Sequence, residues 1–297
     1  MATYFKTPGF GTNLHTGVRP DVDLVAEALH AEQLGFDVVT IHRDALHGGD
    51  PSLEIWTLLT WLAARTSSIR VAPVVLALPH RHPAVLAKMA ETLDRLSDGR
   101  LVLVLGGGGP MNEPAYGALG LAQRSPREKV EALEEAIDIL RGLWRTSGFS
   151  YAGQHFRTKG ATIEPKPGHP IPLWLGVFGD QMIDLVGRKA DGWFPTYQLL
   201  GPEQAYRKLE HIRKVAENAG RNPDDITYAY NVPVLVEEGT VTTKGQIAGS
   251  AAEVARQLAD LVRHGFTFLN VWPGGEANRQ RERLAREVLP IVRELIA

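Results

Sequence analysis

The chain has 297 residues, 44% of them hydrophobic, a formal net charge of -2 and no cysteine. That size suits one large core, and the near-neutral balance gives no basic footprint for nucleic acid. The lack of cysteine removes disulfides, thiolate nucleophiles and the common zinc sites, and no run reaches the ~18 apolar residues of a membrane span. Met1-to-Phe10 holds one lysine and no apolar core of a secretory leader, so a cytoplasmic protein is expected.

Taken in order, short apolar runs alternate with amphipathic segments. Phe10-Gly11-Thr12-Asn13-Leu14 reads as a first strand. Pro20-Asp21 opens a helix over 21–34 with Val25, Ala28 and Leu29 at helical spacing, stopped by Gly35. Residues 36–41 form the next strand and run into His42-Arg43-Asp44, after which 53–65 is helical with Trp56, Leu59 and Leu62 on one face. Strand 71–78, helix 83–96 and strand 101–105 follow, the last opening onto Gly106-Gly107-Gly108-Gly109. An apolar run ending on glycines reads as a buried parallel strand whose carboxyl end brings backbone close to a ligand. Ser125-Pro126-Arg127-Glu128 is a capping box that starts a long helix with Val130, Leu133, Ile137, Leu140 and Trp144 on its buried stripe.

Residues 149–170 are rich in Gly, Pro and aromatics and lack a helical period. They are expected to be an insertion after the fourth βα unit, with a small hairpin around Tyr151 to Phe156 lying over the site. Alternation then resumes with strand 173–175, helix 181–190, strand 192–194, helix 202–219, strand 226–236, helix 251–264, strand 268–272 and a terminal helix to Ile296. Units of this kind without a compositional break point to a single (β/α)8 TIM barrel over 1–297, with a doubly wound open sheet as the competing arrangement.

Barrel geometry puts working residues at the carboxyl ends of the strands. Those ends carry Asn13 and His15, then His42, Arg43, Asp44 and His47, the glycine run, residues 176–180, and Trp272. On the long seventh strand Tyr228, Tyr230 or Asn231 reaches the lumen. Asn13, His15, Tyr228 and Asn231 are the candidate substrate contacts. Glycosidase chemistry wants two acids facing each other across ~5–10 Å, and only Asp44 and Glu113 stand out, with nothing pairing them. The arginine inside His42-Arg43-Asp44 would repel a metal, so no metal site is expected. Blander readings stand beside these: a structural histidine at 42, a mutual Arg43–Asp44 ion pair, and Trp193 and Trp272 as barrel packing.

Residues 71–113 hold His82-Pro83-Ala84-Val85, the turn Leu93-Asp94-Arg95-Leu96-Ser97-Asp98-Gly99-Arg100 and the glycine run. Together with Leu34-Gly35-Phe36-Asp37, the segment 131–144 and Ala190-Asp191-Gly192-Trp193, they resemble the signature of the bacterial luciferase-like monooxygenase family. The resemblance implies a (β/α)8 barrel that binds FMN or the deazaflavin coenzyme F420 and carries out monooxygenation or hydride transfer. It places Pro73, Val74 and Val75 where deazaflavin-dependent members keep a non-prolyl cis peptide behind the ring. Asn112 matches an asparagine at the ring edge, and Gly107 counts with it as a cofactor contact. Gly176, Val177, Phe178, Gly179 and Asp180 match the loop that holds the cofactor phosphate, as unpaired amides at a helix start would.

Departures from the family narrow the chemistry. Some deazaflavin-dependent dehydrogenases carry an Asp-His pair after strand two, where this chain has Arg43-Asp44, and a proton-donating glutamate after strand four, where it has Gly109. Dehydrogenation of sugar phosphates by that machinery is thereby disfavoured. His42, Arg43 and Asp44 are left as the candidate catalytic groups, an Arg or His stabilising the anionic reduced flavin. The expectation is a flavin-type oxidoreductase acting on a small organic substrate. FMN and F420 both stay open, with a lean to F420 from the residues after strand three and Asn112-Glu113. A non-catalytic cofactor-binding member and a metal-dependent barrel hydrolase are the alternatives, and apolar helices such as 53–63 leave a homodimer open.

Overall fold

The computed structural model describes residues 8–14, 17–18, 22–42, 51–109 and 113–297. The first half runs β1 (Gly9–Leu14), α1 (Leu24–Gln33), β2 (Val38–His42), α2 (Ile55–Arg65), β3 (Arg70–Val74), β4 (Leu76–Ala77), α3 (Pro83–Leu96), β5 (Leu103–Gly106), α4 (Glu113–Ala118) and α5 (Pro126–Arg145). A hairpin, β6 (Phe149–Ala152) with β7 (Arg157–Ala161), then leads to β8 (Leu173–Leu175), α6 (Asp180–Lys189), β9 (Gly192–Trp193) and α7 (Pro202–Asn218). The chain closes with β10 (Thr227–Val236), β11 (Ile247–Gly249), α8 (Ala251–Arg263), β12 (Phe268–Pro273), α9 (Ala277–Arg283) and α10 (Leu289–Ile296), the last two joined by a π-helical turn.

Local chemistry sets the helix starts. Asp23 accepts from the Val25 and Ala26 amides, Glu54 from Trp56 and Thr57, and Ser125 with Glu128, like Ser250 with Glu253, forms the full capping box. None of the described helices is long and apolar enough to cross a membrane.

The strands pair in parallel around a ring: β1 with β2 and β12, β2 with β3, β5 with β8, β8 with β9, and β9 and β12 with β10. β3 stops at Val74, the Val74–Val75 peptide is cis, and the strand resumes as β4, which pairs with β5. A bridge between Val71 and Leu101 joins β3 to the start of the next strand. The ring is closed and β3 and β4 share one position, so the barrel reading holds. An open sheet would leave two unpaired edges. β11 lies outside the ring, parallel to the end of β10, and was not foreseen from the sequence.

Inside, Val38, Ala72, Val102, Val104, Trp174, Phe194, Ala229 and Phe268 fill the lower lumen, with Trp174 edge-on to both Phe194 and Phe268. This plug leaves the carboxyl-end mouth as the working face.

At the opposite face the Asp98-Gly99 pair, both with positive φ, turns the chain out of α3. Arg100 follows and is buried. It donates to the carbonyls of Ser97, Ile69, Ala63 and Thr66 and to the Thr66 hydroxyl, tying the end of α2 to the starts of β3 and β5.

The hairpin corrects one expectation. Glu135 of α5 accepts from the amides of Gln154, His155 and Phe156 at 2.7–3.0 Å. The Phe156 ring meets His82 edge-on at 5.4 Å and has Arg124 over its face. The segment therefore runs along the outer side of α5, its turn reaching the rim, and does not lie across the mouth.

Candidate active site

Side chains alternate along each strand, so the residues that share the lumen with the plug can be followed upward. In β2 they are Val38, Thr40 and His42; in β12, Phe268, Asn270 and Trp272; in β10, Ala229 and Asn231. Two arcs of different character result.

The first arc is polar and uncharged. Asn270 Nδ2 donates to the Thr40 hydroxyl at 2.9 Å and to Asn231 Oδ1 at 2.7 Å, and Asn231 Nδ2 donates to the Thr196 hydroxyl at 3.3 Å. Above this chain Asn13 Oδ1 lies 3.3 Å from His42 Nδ1, and the His42 ring tilts against Trp272 with centroids 4.5 Å apart. Two amide groups stay unsatisfied among the described residues, Asn13 Nδ2 and Asn270 Oδ1, although both residues are buried. Buried polar atoms left without a partner are uncommon.

The second arc is apolar. Val74 pairs with His42, and Val75 projects between two glycines. A Cβ on Gly106 would lie 2.6 Å from Val75 Cγ2, and one on Gly176 would lie 2.2 Å from Val75 Cγ1. Only glycine at both positions lets this side chain occupy the wall. Pro73, one residue before Val74, has the opposite parity to Val74 and is buried behind the wall, paired with Ile41.

Beyond the wall lies the start of α6. Gly179 caps it without a side-chain hydrogen bond, and Gly176, Phe178, Gly179 and Asp180 are at least partly exposed while Val177 is buried. The Val177 carbonyl accepts from Trp193 Nε1 at 3.0 Å, which fixes the loop from below. Gly107 faces the same corner, since a Cβ there would meet Met182 of α6 at 2.9 Å. Lys208 holds the Asp180 carboxyl below its usual range through a 2.6 Å contact, and this draws the acid toward α7. The helix start is thus left to its amides, which suit an anion.

The mouth gathers Asn13, His42, Val74, Val75, Asn231 and, at its edge, Gly107 and the 176–180 loop. It does not include Tyr228. That residue has the parity of Tyr230, opposite to Asn231, and its hydroxyl donates to the Pro223 carbonyl with Arg213 over the ring. The expected substrate contact at Tyr228 is therefore corrected to packing between β10 and α7, and burial raises its hydroxyl pKa. His15, Arg43, Asp44 and Asn112 lie outside the described residues. Thr40, Thr196 and Asn270 were missed in the sequence, although Thr40 and Asn270 are lone polar residues inside apolar runs, spaced by two from other lumen positions. A cleft of about 450 Å³ lies between the first turns of α5 and α6, beside the 176–180 loop, and another of about 290 Å³ lies between α7 and α8 in the outer layer.

Comparison with known proteins agrees with this architecture. Residues 2–240 match the family model described as luciferase-like monooxygenase. The F420-dependent glucose-6-phosphate dehydrogenase of Intrasporangium calvum is 32% identical over 208 residues, covering 69% of this chain and 62% of that relative. The enzyme of the same description from Mycolicibacterium gilvum is 30% identical over 92% of this chain and 94% of its own. The first of these alignments thus spans under two thirds of the relative's length. Among solved structures, an F420-dependent secondary alcohol dehydrogenase superposes with a TM-score of 0.84 at 18% identity, covering 96% of this chain and 99% of the other. The EDTA monooxygenase from Chelativorans sp. BNC1 gives 0.82 at 15% identity over 97% and 94%. At such identities these two likenesses speak for the barrel alone. With the family model covering most of its length and the closed barrel described above, this chain belongs to the luciferase-like monooxygenase family.

Proposed function

We propose that this protein is an oxidoreductase that uses coenzyme F420 to move a hydride to or from a small uncharged alcohol or its carbonyl partner. The observation that carries this reading is the two-sided mouth: an uncharged hydrogen-bonding arc carrying His42 faces an apolar wall at Val75. A flat ring with a polar edge fits such a surface, and the unsatisfied Asn13 amide supports a ligand there. The names of the curated relatives support F420 over FMN.

When bound, the deazaflavin supplies a ring carbon that accepts or gives the hydride. Val75 would back that ring, and the amides at the start of α6 would hold its phosphate. His42 would hold the hydroxyl proton that leaves as the carbonyl forms, and the packed lumen below keeps bulk water out. The departures Arg43-Asp44 after strand two and Gly109 after strand four support neutral alcohols over sugar phosphates as substrates. We place the protein in the cytoplasm as a homodimer, with Trp61 and Val85, each 56% exposed, supporting a shared face that sedimentation would test.

Titration with F420 and, separately, with FMN, followed by F420 reduction assays on primary and secondary alcohols beside glucose 6-phosphate, tests the proposal. Saturable F420 binding and reduction with a neutral alcohol is expected. Binding of FMN alone, or activity confined to the sugar phosphate, would overturn it.

A further inference from the structure

Asn231 and Asn270 face each other across β10 and β12, 3% and 0% exposed, where the mouth gives way to the plug. Five hydrogen bonds run through them in one direction. Thr40 Oγ1 donates to the Thr12 carbonyl at 3.4 Å and accepts from Asn270 Nδ2, whose other hydrogen goes to Asn231 Oδ1. Asn231 Nδ2 donates to Thr196 Oγ1, which donates in turn to the Asn231 backbone carbonyl at 3.4 Å. Both ends of this chain are backbone carbonyls, which only accept. Turning both carboxamides round would strip those carbonyls of their donors, since each hydroxyl would have to give its hydrogen to an amide oxygen. The fold therefore holds Asn270 with both N–H groups spent and its oxygen unpartnered against Gly11, where an added Cβ would meet it at 2.7 Å.

We infer that Asn231 presents a carboxamide N–H to the carbonyl oxygen of the substrate, and that Asn270 is the positioning residue that fixes this orientation; the inference rests on the reaction proposed above. Asn231 has two Nδ2 hydrogens and spends one of them among the described residues, on Thr196. Thr196 Oγ1 also lies against the backbone carbonyl of Asn231, so the bond to it runs back along the strand and the second N–H projects into the lumen. Ala229 and Phe268 fill the lumen beneath, which leaves the mouth as the place for its acceptor. With its oxygen held by Asn270, Asn231 offers a ligand its N–H. A carbonyl oxygen only accepts and matches that offer, whereas a hydroxyl matches it through a lone pair and must find an acceptor for its own hydrogen elsewhere. A site built this way prefers the ketone or aldehyde to the alcohol with which it interconverts.

F420-linked reduction of cyclohexanone, set beside oxidation of cyclohexanol, tests this. Asn231→Asp keeps the shape but only accepts, so KM for the ketone is expected to rise by about 5–150-fold. KM for the alcohol, whose hydroxyl can give its hydrogen to the new oxygen, should rise far less. Ionised Asn270→Asp cannot donate to Asn231, which then turns its N–H groups toward the carboxylate, and the ketone KM rises. As pH falls and the acid form returns, its O–H donates to Asn231 Oδ1 again, so the ketone KM should move back toward that of the original protein. A merely structural Asn270 would show no such pH dependence. Equal rises for ketone and alcohol, a ketone KM in Asn270→Asp that ignores pH, or a loss confined to F420 binding would each overturn the inference. Should the unaltered protein turn over neither compound, the proposed reaction fails. The Asn231 side-chain amide then decides, followed by ¹⁵N NMR as cyclohexanone is added with F420 present and assigned by its loss in Asn231→Leu. A shifted signal is expected, and an unmoved one overturns the inference.

Discussion

Replacing Gly176 by alanine probes how tightly the apolar wall is built. The added Cβ would sit 2.2 Å from Val75 Cγ1 and 3.3 Å from the Phe194 carbonyl oxygen, against an ordinary carbon contact of ~3.5–4.0 Å. Val75 has nowhere to retreat, because the Gly106 side leaves no spare room either: the corresponding Cβ position lies 2.6 Å from Cγ2. The β-branched side chain must therefore shift with its backbone toward the mouth, an overpacking that costs ~1–3 kcal/mol. At roughly 2–4 °C per kcal/mol for a domain of this size class, Gly176→Ala should melt about 2–12 °C lower. The same shift intrudes on the ring position, so F420 affinity in a fluorescence titration should fall by roughly 5–150-fold, the equivalent of that cost. Val75→Ala removes both γ carbons, and the double variant Val75→Ala/Gly176→Ala should recover most of the loss, giving a coupling of ~1–2 kcal/mol. Independent, additive effects of the two substitutions, or a Gly176→Ala protein that melts and binds as the original does, would refute this account of the wall.

Other expectations are checked more simply. Arg100→Lys keeps the charge but cannot serve carbonyls of Ala63, Thr66, Ile69 and Ser97 together, and urea unfolding should show a loss of ~2–4 kcal/mol; a loss under ~1 kcal/mol would show the clamp to be idle. Arg281→Met strands Glu27 as a buried charge and should cost ~3–5 kcal/mol, much of it returned when Glu27→Leu is added, as a thermal melt of the three variants would reveal. Burial raises the Glu32 pKa, but hydrogen bonds from the amides of Ser68, Ile69 and Ser67 and from the Ser68 hydroxyl outweigh it, and the net shift is downward from 4.5. Its contribution to stability is thus fully present above that ordinary value and lost as pH falls through the lowered one. Urea titrations from about pH 6 to pH 3 should therefore show Glu32→Gln losing less stability than the original protein; parallel losses would contradict this.

Much of the barrel is legible in the sequence because its signals are local. Helix starts at Pro83 and Pro126 and the stop at Gly35 are punctuation that the backbone obeys, and the expected helices 83–96 and 202–219 match the observed ones to within a residue. What escaped is set by contacts between distant segments. The break between β3 and β4 at Val75 is explained by Gly106 and Gly176, which are remote in sequence and say nothing of Val75 in advance. β11 pairs with the end of β10 across an intervening loop, a non-local match that its own three residues do not announce. The hairpin was expected from its composition, yet its place on the outside depends on Glu135, a carboxylate in the middle of α5 that reads as a solvated face. Tyr228 is a different case. Period-two parity already sets it apart from Asn231, and the lone polar residues Thr40 and Asn270 in apolar strands could have been matched to Asn231 by the same counting.

The turn from Leu93 to Arg100, the most recognisable stretch of the sequence, binds nothing at the mouth; it knots α2, β3 and β5 together on the far side of the plug. Retention of that motif across a lineage would report on whether the barrel still holds its shape and be silent about what it transforms. Conversely, loops after β1, β2 and β5 are free to drift toward new substrates without loosening the knot. Two descendants could keep identical turns while sharing no reaction.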